Sequence, residues 1–141
     1  CSGGLDQRIV YEACRRGLLA KQLPALRAHY QQKRDVMVRG LESRLGDAVS
    51  WPAPRGGFFL WLRLAEPLRS DDLLPLAQAR GVIFVTGTAF FVDGWGRHHL
   101  RLSFSAPSLE RIEEGVARLA AAVGDLVDAG RTSGVGARDA R

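Results

Sequence analysis

Arg101 is the residue whose setting most suggests chemistry. Around it Leu100, Leu102 and Phe104 alternate with Arg101, Ser103 and Ser105, a period of two that marks a strand with one apolar and one polar face. A guanidinium planted there presents a planar, permanently charged fork that matches a carboxylate or phosphate oxygen pair. The same pattern also fits an arginine on the solvated face of a sheet, where most arginines lie. Other reactive types are sparse. His98 and His99 are adjacent, so on a strand they point to opposite faces, and no third ligand stands at metal spacing. Ser103 and Ser105 have no base near them in sequence. His29, Lys21 and Lys33 fall in a helical pattern and read as surface residues, and these are the only two lysines.

Composition bounds what can position these groups. The chain has 141 residues, 46% hydrophobic and 25% charged, enough for one domain with a real core. No apolar run reaches the roughly 18 residues of a membrane span, and no charged-then-apolar secretory pattern opens the chain. The sole methionine is Met37, so the sequence reads as a fragment or a processed product. A mature lipoprotein would begin much like Cys1-Ser2-Gly3-Gly4, but the amphipathic pattern from Leu5 leaves no flexible tether. Cys1 and Cys14 form neither a disulfide framework nor a metal spacing. Cys14 is expected to be a small buried apolar residue, with reduced thiols and a cytoplasmic location.

The net charge of +5 and pI near 10.0 raise the question of nucleic acid. Residues 129–141 carry +2 of that charge, and in the remainder Glu42 mixes with Arg39 and Glu110 with Arg111. No basic stripe interleaved with aromatics appears, so a solvated mixed surface is the better account, with no nucleic acid and no membrane as partner.

The positioning elements follow from periodicity. Leu5 to Leu19 reads as a helix broken by Gly17. A longer helix runs from about Lys21 to Leu45, with Leu23, Leu26, Tyr30, Met37 and Leu41 as its stripe and Pro24 in its first turn. Ala48 to Trp51 is a short strand. Arg55-Gly56-Gly57 is a turn whose glycines admit positive φ or close approach. Phe58 to Leu64 is a strand expected to be covered on both faces. Ser70 caps a helix closed by Gly81, its regular part starting late because of Pro75. Val82 to Val85 is a short strand expected to be buried. A glycine-punctuated loop from Thr86 to Arg97 carries Phe90, Phe91 and Trp95, and such a loop can plug a core edge or line a pocket. After the strand of Arg101, Ser108 caps a last helix ending near Asp128. The tail at 129–141 offers little to bury and is expected to be disordered. Helix, helix, strand, strand, helix, strand, strand, helix argues an α+β fold: a small, mostly antiparallel sheet with helices on one side, preceded by a long linking helix.

Five pieces carry a family resemblance when taken in this order and at these spacings over about residues 2–124. They are Leu5-Asp6-Gln7-Arg8; Pro54-Arg55-Gly56-Gly57-Phe58-Phe59-Leu60-Trp61; Gly81-Val82 through Gly87-Thr88-Ala89-Phe90; Leu100 to Ser105; and Ile112-Glu113-Glu114-Gly115-Val116. The series resembles the C-terminal part of fold-type-I pyridoxal-phosphate aminotransferases of class I/II, nearest the 2-aminoadipate and kynurenine branch. The resemblance implies that residues 1–20 end the large, cofactor-binding domain and that 21–128 form the small domain. It implies that Arg101 binds the substrate α-carboxylate, aligning the Cα–H bond while the cofactor ring accepts the electrons. It also implies that Gly57 lets backbone approach substrate, that Phe90 borders the entrance, and that Ser2 lies near the cofactor of a partner subunit in a homodimer.

Two departures qualify this. Thr86 stands before Gly87 where the family usually has proline. The family also anchors pyridoxal phosphate on a lysine, and neither Lys21 nor Lys33 has that small-residue context, so the anchoring lysine is expected upstream of Cys1 and the piece alone is expected to be inactive. The same domain follows a winged-helix module in transcription regulators that use the fold to sense an effector. A non-catalytic α+β body with a solvated Arg101 is the remaining reading.

Overall fold

The computed structural model describes residues 3–135, with side chains through Arg131. The chain forms two compact units, Cys1–Gln32 and Lys33–Arg141.

The first unit is helical. Helix α1 spans Gly4–Arg15 and buries none of its residues. Its apolar positions Leu5, Ile9 and Val10 are exposed. Cys14 is exposed as well, contrary to the buried position that its helical spacing suggested, because nothing within its own unit packs over it. Gly17 (φ +69°) breaks the helix, as only glycine does without penalty in the left-handed region. Helix α2 follows at once, over Leu18–Leu45. It starts earlier than the sequence suggests, so Pro24 falls in its second turn, where the proline leaves the Ala20 carbonyl without its helical donor.

The second unit begins inside α2, whose residues Val36, Met37, Leu41 and Leu45 are buried. Lys33 is buried too, at 6% exposure, and its Nζ donates to Ser105 O at 2.9 Å. This corrects the reading of Lys33 as a solvated helix lysine: its stem packs with the core stripe while the amine satisfies a carbonyl just beyond the strand of Arg101.

Strands β1 (Val49–Ser50), β2 (Phe59–Leu64), β3 (Val85–Thr86) and β4 (His99–Ser103) form one sheet in the order β1-β2-β4-β3, every pair antiparallel. Strand β3 starts later than expected because Val82 is still tied to the preceding helix, its N–H donating to Ala77 O at 2.9 Å. The segment is not buried as expected: Phe84 enters the core, but Ile83 and Val85 are exposed at this edge of the sheet. Leu60, Leu62, Leu64, Leu100 and Leu102 occupy one face and are buried. Together with α2, helices α3 (Ser70–Ala79) and α4 (Leu109–Val135) supply the core residues Leu73, Ala77, Ile112, Val116, Leu119 and Val123. Each leucine so buried contributes about 1.5–3 kcal/mol by removal from water. The fold is α+β with a four-stranded antiparallel sheet and helices against one face.

Four further expectations change. Phe59 remains 45% exposed, Trp61 is half-buried and Arg63 is exposed, so the second face of β2 is open rather than covered. Ser70 is not a cap: Arg69 holds that position, and the buried Ser70 hydroxyl donates to Arg97 O at 3.1 Å. The helix then runs from Ser70 straight through Pro75. At the start of α4 the capping expectation holds, Arg111 N–H donating to Ser108 Oγ at 3.3 Å. Helix α4 continues past Asp128 to Val135, so residues 129–135 are helical rather than irregular, and 136–141 lie outside the described residues. Among the described residues no helix is long and apolar enough to cross a membrane.

Candidate functional site

The open face of the sheet collects the polar and aromatic side chains that alternate with the buried leucines. In register, Phe59 stands opposite Ser103, Trp61 opposite Arg101, and Arg63 opposite His99, while Val85 flanks Arg101 from the other side. With Leu100 and Leu102 turned to the core, Arg101 must point to the open face.

The Arg101 guanidinium lies over two aromatic rings. Its carbon is 4.2 Å from the Phe59 ring centroid and 4.8 Å from that of Phe90. Each contact is worth about 0.5–1 kcal/mol on a half-exposed face. Among the described residues Arg101 has no hydrogen bond and no ion pair, so its N–H donors remain available to a ligand. By contrast Arg34, Arg63, Arg80 and Arg118 are each paired with a carboxylate.

The rings form a connected cluster. Trp61 meets Phe90 edge-on at 5.3 Å, lies near Phe91 at 6.1 Å, and stacks with His99 at 5.6 Å and 18° between planes. Phe91 stacks with His99 at 5.7 Å. His99 Nδ1 is buried without a partner. Burial, then the Arg63 guanidinium and His98, hold the His99 pKa below its usual 6.5. His98 has a separate role, its Nδ1 meeting Leu68 O at 2.7 Å. Among the described residues no three metal-ligating side chains converge.

Phe90 ends one 3-10 turn, Gly87–Phe90, with Phe91 just beyond it, and a second 3-10 turn, Trp95–His98, follows. The turns touch backbone to backbone: a Cβ on Gly87 would overlap Gly96 O and come within 2.8 Å of His99 O. Thr86, at the place of the family's usual proline, shares a 2.9 Å hydrogen bond with the Thr88 hydroxyl, which donates to Asp71 at 3.1 Å on α3. The departure therefore ties the loop entry to a helix.

Of the residues singled out in the sequence, Arg101 and Phe90 come together. Gly57 (φ +82°) precedes β2 in an open turn, with nothing within 4 Å of where a Cβ would stand. Ser2 lies outside the described residues. The Ser103 and Ser105 hydroxyls pair with each other at 3.0 Å. Neither lysine fits the cofactor-anchoring role: Lys33 spends its amine on Ser105 O, and Lys21 sits on an exposed turn of α2. Phe59, Trp61 and His99 are site neighbours that sequence reasoning missed. Their alternation along each strand was visible, but the β2–β4 pairing that gathers them was not.

Residues 2–119 match the family model for aminotransferase class I and II. The chain belongs to the aminotransferase class I and II family. It is 36% identical over 120 residues to aromatic-amino-acid aminotransferase 1 of Thermococcus litoralis, covering 85% of this chain and 29% of that protein. It superposes on the crystal structure of the α-aminoadipate aminotransferase LysN of Thermus thermophilus, solved with N-(5'-phosphopyridoxyl)-L-leucine. There the TM-score is 0.80 and the identity 34%, over 88% of this chain and 32% of that one. Another relative is the HTH-type transcriptional regulator YisV of Bacillus subtilis, 31% identical over 82% of this chain and 23% of that protein. The chain thus spans about three tenths of the length of these aminotransferases. The family is dependent on pyridoxal phosphate.

Proposed function

We propose that the chain is the C-terminal part of a pyridoxal-phosphate-dependent aminotransferase, the small domain with the end of the large one, in which Arg101 binds the α-carboxylate of the amino-acid or 2-oxo-acid substrate. Residues 1–20 would close the large domain and 21–128 form the small domain with its linking helix. The observation that carries the reading is the Arg101 guanidinium, positioned by a central strand and two rings and free of any carboxylate among the described residues.

In this reading the residues of the chain bind and orient. The guanidinium fork takes both carboxylate oxygens, fixing the rotation of the substrate about its Cα–carboxyl axis. Phe90 borders the entrance, and the Gly57 turn leaves room for substrate near the start of β2. The cofactor supplies the electron sink for Cα–H cleavage and is held by residues elsewhere in the parent protein. A cytoplasmic homodimer, with Ser2 near the partner subunit's cofactor, completes the proposal.

The test uses the full-length protein with pyridoxal phosphate, a panel of L-amino acids and 2-oxoglutarate. Arg101→Ala should lower kcat/KM by about 2–4 kcal/mol, roughly 30- to 1,000-fold, with most of the loss in KM. A change below about twofold would sink the clamp.

The kinship to YisV supports a second reading, in which the same guanidinium holds the carboxylate of an effector in a transcription regulator. A winged-helix segment ahead of the large domain, with DNA binding that shifts on adding an amino acid and no turnover of it, would select that reading.

A further inference from the structure

The carboxylate-clamp reading leaves open what holds the clamp itself. We infer that Phe59 and Phe90 are positioning residues that hold the Arg101 fork in place without competing for its donors.

A free arginine side chain samples many rotamers, and fixing it before substrate arrives removes that entropic cost from binding. The usual holder, a carboxylate, would neutralise the charge and occupy the same N–H groups that the substrate needs. A ring face attracts the cation through its quadrupole and leaves the in-plane N–H groups unoccupied. Arg101 shows this arrangement, with two rings at 4.2 and 4.8 Å and no acceptor among the described residues.

The two rings are themselves fixed by independent supports. Phe59 is set by β2, where it pairs with Ser103 and lies diagonally across from Arg101. Phe90 comes from the 3-10 turn locked by the Gly87–Gly96 contact and is met edge-on by Trp61 at 5.3 Å. Both rings stay 45% exposed, so neither is a core residue whose main task is burial. Leucine at either place would keep bulk and lose the quadrupole, which separates positioning from packing.

The experiment uses the full-length protein loaded with pyridoxal phosphate, with L-leucine, L-phenylalanine and L-2-aminoadipate as donors and 4-methylpentanoate as a carboxylate probe whose dissociation constant is read by calorimetry. Phe59→Leu and Phe90→Leu should each weaken 4-methylpentanoate binding and raise KM about 5- to 20-fold, with kcat within about twofold. Phe59→Tyr and Phe90→Tyr, which keep the ring, should restore near-parental values. In an Arg101→Ala background the leucine changes should add less than about twofold, since the group they position is gone. Leucine variants that bind the probe normally while Arg101→Ala does not would overturn the positioning role and leave the clamp standing. Leucine effects that persist undiminished in the Arg101→Ala background, or tyrosine variants as impaired as the leucine ones, would overturn it too. Arg101→Ala with unaltered probe binding would remove the clamp reading and this inference together.

Discussion

Trp61 stands directly across the β2–β4 ladder from Arg101, and its indole is at once edge-on to Phe90 and stacked on His99. One side chain therefore joins one of the two rings that touch the guanidinium to the histidine of the same strand. Trp61→Leu removes three ring contacts, each worth about 0.5–1.5 kcal/mol beyond area burial. The expected loss is about 1–3 kcal/mol in chemical unfolding of the full-length protein, with a raised substrate KM. A loss under about 0.5 kcal/mol would show that the cluster carries no stability.

The two lysines should behave as opposites. Lys33→Met leaves the Ser105 carbonyl without the amine that now reaches it at 2.9 Å, an expected cost of about 1–3 kcal/mol. Lys21, exposed on α2, should tolerate the same change within about 0.5 kcal/mol. Equal unfolding midpoints for the two variants would contradict the burial of Lys33.

Gly87→Ala and Gly96→Ala both drive a methyl group into the facing backbone, Gly96 O for the first and the Gly87 carbonyl for the second. Backbone cannot move aside as a side-chain tip does, so each change should cost about 1–3 kcal/mol or more. The turn bearing Phe90 and Phe91 should shift, raising KM while far-ultraviolet circular dichroism stays the same. Gly57→Ala is a useful contrast: open space surrounds it, and only its left-handed φ is penalised, by about 1–2 kcal/mol.

His99 gives stability a pH dependence of known sign. Its folded pKa lies below the ordinary 6.5 because of burial, Arg63 and His98, in that order. The unfolded chain therefore binds the proton more readily. The contribution of His99 is complete above about pH 6.5 and is lost as pH falls through the lowered folded value. His99→Phe keeps a stacking ring and cannot titrate. Between about pH 8 and pH 5 its unfolding midpoint should fall less than that of the parent protein. Parallel curves would rule out His99 as a contributor.

The sequence disclosed the order of elements, because period-two and period-3.6 patterns are local. It disclosed Arg101 on a polar strand face, and the break at Gly17. Contacts between distant segments were hidden. Lys33 looked solvated because its neighbours Gln31, Gln32 and Arg34 are polar, and only the return of the chain at Ser105 reveals its partner. Cys14 looked buried because Ile9, Val10 and Ala13 share its side of α1, yet amphipathicity reports a face that wants covering rather than one that is covered. Ser70 looked like a cap because Asp71 and Asp72 follow it, but the carbonyl of Arg97 offers its hydroxyl a buried acceptor instead. The ring cradle of Arg101 depends on register, which strand sequences specify only jointly.

Strand β4 is hydrogen-bonded along both edges, to β2 and to β3. Its cation is thereby fastened like a post set between two rails: it can swivel at the side chain, but it cannot slide along the sheet. In the proposed clamp, a long guest and a short one would consequently meet the same fixed point, and any difference in their size would have to be absorbed at their far ends.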